Sequence, residues 1–157
     1  MAIHVVMYQP EIPQNTGNIS RTCAATHSVL HLIRPLGFST DDKQLKRAGL
    51  DYWEFVDVRY HDSLEELWEK HPEGIFYYIT KYGEQYPSQI DLSDVEQDYF
   101  FVFGRETKGL PLEVIDANAE RCIRLPQSNL VRSLNVSNTA AIIVYEALRQ
   151  QGYAGLL

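Results

Sequence analysis

At 157 residues, 45% of them hydrophobic, the chain makes one domain of ordinary size, residues 1–157, and has no room for a second. A net charge of −7 excludes a protein that coats nucleic acid by bulk electrostatics, although an enzyme acting on RNA needs only a local basic face. No apolar run approaches the roughly 20 residues that span a bilayer, so no membrane partner is expected. The start, Met-Ala-Ile-His-Val-Val-Met-Tyr, lacks the basic flank and cleavage site of a signal peptide. The expected location is the cytoplasm, with Cys23 and Cys122 as reduced structural thiols.

Short apolar runs alternate with helical patterns, which predicts an α/β domain: a mostly parallel sheet with helices on both faces. In chain order the first strand is Ile3–Tyr8, followed by a polar turn, Asn15-Thr-Gly-Asn-Ile-Ser-Arg21, and a helix near Asn18–Thr26. A strand at Val29–Ile33 precedes a helix at Asp41–Ala48, which Thr40-Asp41-Asp42 can cap. A strand at Glu54–Arg59 leads to a helix at Ser63–Lys70, where Ser63 and Glu66 form a capping box. Strands at Ile75–Thr80 and Tyr99–Phe103 come next. A second polar turn, Phe103-Gly-Arg-Glu-Thr-Lys-Gly-Leu-Pro111, leads into a helix at Leu112–Ala117 and a strand at Cys122–Leu125.

The third polar turn, Arg132-Ser-Leu-Asn-Val-Ser-Asn138, runs straight into the last helix and is the most informative stretch of the chain. Such a junction gathers hydroxyls, amides and free helix N–H groups at one point, as a small-ligand site requires. In the helix, Val136, Ala140, Ile143, Val144, Ala147 and Leu148 recur at three- and four-residue spacing, and Gly152 follows as a stop. Ala141, Ile142 and Tyr145 widen the apolar surface beyond one stripe. That suits a helix covered by its own sheet and by another subunit; deep burial in a monomer is the alternative.

Three convergent polar turns predict an active site, and elimination narrows its chemistry. No Gly-x-Gly-x-x-Gly follows a strand and no Gly-x4-Gly-Lys-Ser/Thr occurs, which argues against dinucleotides and nucleoside triphosphates. The five histidines show no ligand grouping, so no metal is expected and single structural or surface histidines are the default. A Gly-x-Ser-x-Gly elbow is absent, and neither cysteine sits where its pKa would fall. What remains is neutral polar groups with Arg21 and Glu106, a set suited to group transfer between bound ligands. Acidic residues concentrate between Asp57 and Asp98, whereas Arg34, Lys43, Lys46, Arg47, Arg105, Lys108, Arg121, Arg124 and Arg132 lie outside, many beside the polar turns. A phosphate-bearing substrate fits that distribution.

Asn15 through Arg21, Gly104-Arg-Glu-Thr-Lys-Gly109 and Ser133-Leu-Asn-Val-Ser-Asn138 resemble, in order and spacing, the three motifs of the SPOUT superfamily of RNA 2′-O-ribose methyltransferases. Within it the chain is similar from Val6 to Gly155 to the small enzymes that act on the tRNA wobble nucleotide, most specifically in Tyr-x-Pro-Glu-Ile-Pro-x-Asn-Thr-Gly-Asn. The resemblance implies a deep trefoil knot in the C-terminal third. It implies S-adenosyl-L-methionine as methyl donor, held by loops corresponding to Tyr78–Gly83, Phe103–Thr107 and Ile123–Asn135. Donor contacts fall at Tyr78, Ile79, Thr80, Gly104, Glu106, Leu125, Ser133 and Leu134, largely through main chain, with Gly104 allowing close approach to the ligand. It implies a homodimer acting on the tRNA anticodon region at nucleotide 34, cytidine or uridine, with active sites shared across the interface.

Arg21 matches the motif arginine often assigned to proton removal. A guanidinium pKa of roughly 12 or more makes it a poor base, so orienting the hydroxyl and binding a phosphate is the safer role. Asn15 carries over as a group positioning substrate or Arg21. Glu106 would hold Arg21 or the donor's polar atoms, against the alternative of a surface carboxylate. Ser133 and Asn135 would bind donor or ribose, against plain helix capping. Gln9 stands where an acidic residue is expected before Pro10, and Leu130-Val131 replace a more polar pair, departures that bear on the RNA target. A knotted RNA-binding or adenosine-ligand-binding protein without turnover is the competing class. Transfer to a guanine nitrogen is disfavoured by Ser-Leu-Asn.

Overall fold

The computed structural model describes residues 2–39, 43, 47 and 52–157. The strands are β1 (Ile3–Tyr8), β2 (Val29–Ile33), β3 (Val58–His61), β4 (Ile75–Ile79), β5 (Tyr99–Phe103) and β6 (Cys122–Ile123). The helices among the described residues are α1 (Pro13–Thr26), α2 (Leu64–Lys70), α3 (Leu112–Ala117) and α4 (Val136–Gln150). All strand pairs are parallel, in the order β3-β2-β1-β5-β4-β6. The chain winds outward from β1 on one side and is completed by β4, β5 and β6 on the other. The winding therefore reverses between β1 and β5, and in open parallel sheets ligands bind outside the carboxyl ends of the strands at such a reversal.

Both faces of the sheet are covered, which is why the central strands read as unbroken apolar runs. Ile3, Val5 and Met7 of β1, with Leu30, Leu32, Phe101 and Phe103, pack with Ile19 and Cys23 of α1 and Ala140, Ile143, Val144 and Ala147 of α4. On the opposite face Val6, Ile33, Phe100 and Val102 meet Leu64 and Leu67 of α2 and Ile115 of α3. Burial pushes the Cys23 thiol up to about 12 and raises Cys122 as well; both are free and structural.

Several elements differ from their sequence patterns. The first helix starts at Pro13, so Asn15, Thr16 and Gly17 lie inside it and not in a turn. Proline at its first position presets φ, which offsets the poor helix propensity of the asparagines and glycine that follow. The expected strand at Glu54–Arg59 begins only at Val58, because Tyr52–Val56 closes into a helical turn through Phe55 N–H to Tyr52 C=O (2.9 Å) and Val56 N–H to Trp53 C=O (3.2 Å). β6 ends at Ile123, short of Leu125, and β4 at Ile79. Asp41–Ala48 lies outside the described residues save Lys43 and Arg47, which are helical and exposed. Ser63 caps α2 by accepting from Glu66 N–H (3.1 Å), while the Glu66 carboxylate reaches back to Asp62 N–H (3.3 Å) and not to Ser63.

The histidines are the largest departure. Sheet order aligns His4, His31 and His61 on β1, β2 and β3 into a hydrogen-bonded ladder: His4 Nδ1 to His31 Nε2 is 2.9 Å and His31 Nδ1 to His61 Nε2 is 2.8 Å. His4 Nε2 lies 3.4 Å from Asp98 Oδ1, and the His71 ring stands 5.8 Å from that of His4. These are not isolated residues. Ionised Asp98 only accepts, so His4 donates to it from Nε2, and His31 and His61 donate in turn along the ladder. Burial holds all three rings neutral, pushing His4 down to about 4 and lowering His31 and His61. Among the described residues, no group of three or more His, Cys, Asp or Glu has metal-holding geometry.

Candidate active site

The carboxyl ends of three neighbouring strands bring the predicted donor loops together. Ile79 pairs in register with Phe103 on one side and Ile123 on the other, so the segments leaving β4, β5 and β6 start side by side. Thr80 N–H donates to Ile123 C=O (3.0 Å) and Arg124 N–H to Gln85 C=O (2.9 Å), lacing the first segment to the third. Gly83, unmarked in the sequence beyond its place in the loop, sits in that lacing. A Cβ there would meet Ile123 C at 2.5 Å and Arg124 N at 2.9 Å, which only backbone displacement would relieve. The Tyr78 side chain is buried on the opposite face of the sheet, leaving only its main chain for the crevice, while Ile79 and Leu125 are half-buried against the first core. Ser133 and Leu134 are exposed on the arm that leads to α4.

The loop after β5 closes on itself. Gly109 N–H donates to Arg105 C=O (2.8 Å), with Gly109 at φ +66°, and Arg105 N–H returns to Gly109 C=O (3.3 Å). The Gly104 requirement comes from this closure, since a Cβ would sit 2.4 Å from Gly109 C and Leu110 N. The loop's own closure thus excludes a side chain at Gly104, apart from the expected close approach of a ligand.

Glu106 at the tip accepts from Glu11 N–H (3.1 Å to each oxygen) and from Ile12 N–H (2.5 Å). These donors immediately precede Pro13, so a carboxylate stands at the positive end of α1. Glu11 returns the contact, accepting from the Thr107 hydroxyl (2.8 Å) and N–H (3.1 Å), which holds its carboxyl below the usual range. This cross-brace spans the β1/β5 reversal. Glu11 belongs to the most specific stretch of the sequence but has no role assigned there; its place just ahead of a proline-started helix was the available signal.

Asn15, buried in the first turn of α1, accepts from Asn135 Nδ2 at 3.0 Å, a contact between residues 120 apart in sequence. Asn135 also caps α4, accepting from Ser137 N–H (2.9 Å) and the Ser137 hydroxyl (2.5 Å). The Asn135 side chain therefore caps α4 and at the same time ties the start of that helix to Asn15 in α1. Arg21 lies further along α1 on an exposed stripe with Gln14 and Asn18, away from buried Asn15. Its guanidinium stands over the Tyr52 ring, 5.0 Å from the centroid. The structure therefore joins Asn15 to Asn135 and braces Glu106 to the start of α1, while Arg21 stands over Tyr52, an aromatic residue that no pattern in the sequence ties to it.

Residues 2–145 match the SpoU rRNA Methylase family. The chain belongs to that family. A Bacillus subtilis (strain 168) protein provisionally named tRNA (cytidine(34)-2′-O)-methyltransferase is 69% identical over 156 residues, 99% of this chain and 98% of its own. The Escherichia coli (strain K12) tRNA (cytidine(34)-2′-O)-methyltransferase is 48% identical, covering 98% of this SpoU chain and 96% of its own. A solved structure described as giving insight into 2-OH methylation of C/U34 on tRNA superimposes with a TM-score of 0.87 at 44% identity, covering 97% of each chain. Like the sheet order, these likenesses extend over the whole chain and not over isolated motifs.

Proposed function

We propose that the protein transfers a methyl group from S-adenosyl-methionine to the ribose 2′-hydroxyl of tRNA nucleotide 34, a cytidine or uridine. The observation that carries this reading is the convergence of the loops after β4, β5 and β6 beside the N-termini of α1 and α4, in a chain similar end to end to proteins of that name. One methyltransferase domain occupies residues 1–157 in the cytoplasm, and its C-terminal third forms a deep trefoil knot.

The residues present suit this donor. Half-buried Ile79 and Leu125 offer apolar surface for a flat adenine, and main chain at Tyr78, Gly104 and Leu134 with the Thr80 and Ser133 hydroxyls supplies hydrogen bonds. When bound, S-adenosyl-methionine supplies an electrophilic methyl on sulfonium and leaves as a neutral thioether, chemistry that calls for no metal. Arg21 holds the ribose hydroxyl and a neighbouring phosphate through its fork of N–H donors. Asn15 and Asn135 lock α1 to α4, and Glu106 fixes the β5 loop against α1, so the groups around the crevice are preorganised.

The active unit is a homodimer. On α4, Ile142 and Tyr145 remain 47% and 45% exposed beyond the face that packs on the sheet. Tyr145 joins Ala25, His27, Tyr153 and Leu156 around a cavity of about 600 Å³ at the carboxyl end of α1. Calorimetry with S-adenosyl-methionine and a chelator is expected to show saturable binding, in a sample that sediments with the mass of two chains at micromolar concentration. Binding abolished by the chelator contradicts metal independence, and a stable monomer contradicts the shared interface.

A further inference from the structure

We propose that the turn Tyr52–Val56 is a seat for an unpaired nucleobase of the substrate RNA, with the Phe55 ring as its stacking surface. The inference rests on the RNA methyltransferase reading of the Arg21 site. The turn presents its side chains on two sides. Trp53 and Val56 pack against the first core and anchor it, whereas Tyr52 lies under the Arg21 guanidinium at 5.0 Å and Phe55 is 71% exposed. The Phe55 N–H to Tyr52 C=O bond of 2.9 Å closes the turn, so that Phe55 follows Tyr52 at the three-residue spacing that puts two side chains on one side of a helical turn.

An exposed aromatic on a closed turn, three residues from a ring that carries a guanidinium, is an arrangement that takes a splayed base, because every base offers a π face and single-stranded loops present bases unpaired. The charges favour a base over a phosphate. Glu54, exposed between Trp53 and Phe55, repels backbone phosphate, and Asp57 is occupied by Arg59 at 2.8 and 3.1 Å. With a net charge of −7, the protein gains little from bulk attraction to RNA, so stacking next to Arg21 carries a larger share of recognition. Tyr52 acts through Arg21 and is a positioning residue.

Steady-state methylation of tRNA at saturating donor tests the seat in Phe55→Ala, Phe55→Leu and Phe55→Tyr. The Ala and Leu variants are expected to raise KM for tRNA by about tenfold, the scale of one lost base–aromatic stack, with kcat little changed and donor affinity by calorimetry intact. Phe55→Tyr, which keeps a ring, is expected to restore KM. An unchanged KM in Phe55→Leu overturns the seat. So does a shift of either apolar variant from dimer to monomer mass, which would assign Phe55 to an interface between copies. If the unmodified protein methylates no tRNA ribose, the parent reading fails first, an outcome distinct from an active enzyme indifferent to Phe55.

Discussion

Replacing Arg21 with alanine is expected to lower the rate of methyl transfer to tRNA by about a hundredfold or more at saturating donor, the usual scale for one preorganised catalytic group. Donor affinity should stay within a few-fold, because Arg21 stands on the exposed stripe of α1 and not on the loops leaving β4, β5 and β6. Arg21→Lys keeps the charge but loses the fork and the planar packing on Tyr52, so it should recover only part of the rate. Calorimetry and single-turnover transfer on the same variants separate the two effects. A near-normal rate in Arg21→Ala removes the residue from the mechanism, and loss of donor binding moves it to the cofactor site.

The histidine ladder carries the other large effect, on stability. His4, His31 and His61 are buried and held neutral in the fold, with Asp98 and Glu66 favouring the charged form and Arg59, Lys70 and His71 opposing it. The unfolded chain protonates the same rings near their ordinary value of 6.5. Folded pKa values are depressed, so the unfolded state binds more protons as pH falls. The stability from burying neutral rings is present above 6.5 and lost as pH drops towards 4, the value to which His4 is pushed. Each such proton contributes about 1.4 kcal/mol per pH unit, so His4 and His31, the two most strongly shifted rings, give a slope of roughly 2–3 kcal/mol per unit near pH 5, to which His61 adds in the same direction. That is a large part of the roughly 5–15 kcal/mol that holds an ordinary domain. Urea unfolding at pH 7, 6 and 5 measures it. A free energy flat across that range contradicts the neutral ladder, and His31→Leu should make a steep one shallower by about one ring's share.

What the sequence disclosed follows from how far each feature reaches. β1, β2 and β5, buried on both faces, were legible with their bounds because a short continuous apolar run between turns fits little besides a strand covered on both sides. β3, at the sheet's edge, was displaced, since Tyr52–Val56 has strand-like aromatic content but closes as a turn with two anchors inward. The start of α1 was hidden because Asn-Thr-Gly-Asn is turn chemistry, and only Pro13 and the buried packing of Asn15 and Thr16 override it. Nothing local marks the close packing of Gly104 on Gly109 and Leu110, which arises only when the loop closes on itself.

The site was legible as three polar motifs but not as a set of contacts. Asn15 to Asn135 and Glu106 to Glu11 join residues about a hundred apart, and nothing local marks them. The ladder is the same case. His4, His31 and His61 looked unrelated until parallel pairing of β1, β2 and β3 set their registers. The Tyr52 ring under Arg21 likewise needed the fold, because its own spacing from the motif carries no pattern.

The most direct measurement incubates the purified protein with a tRNA bearing cytidine or uridine at position 34, labelled S-adenosyl-methionine and a chelator, and then maps the label by nucleotide and by atom. The account predicts label on the ribose 2′-oxygen of nucleotide 34, undiminished by the chelator and accumulating about a hundredfold or more slowly with Arg21→Ala. Label on a base, label at another nucleotide, or none at all while the donor remains bound would contradict it.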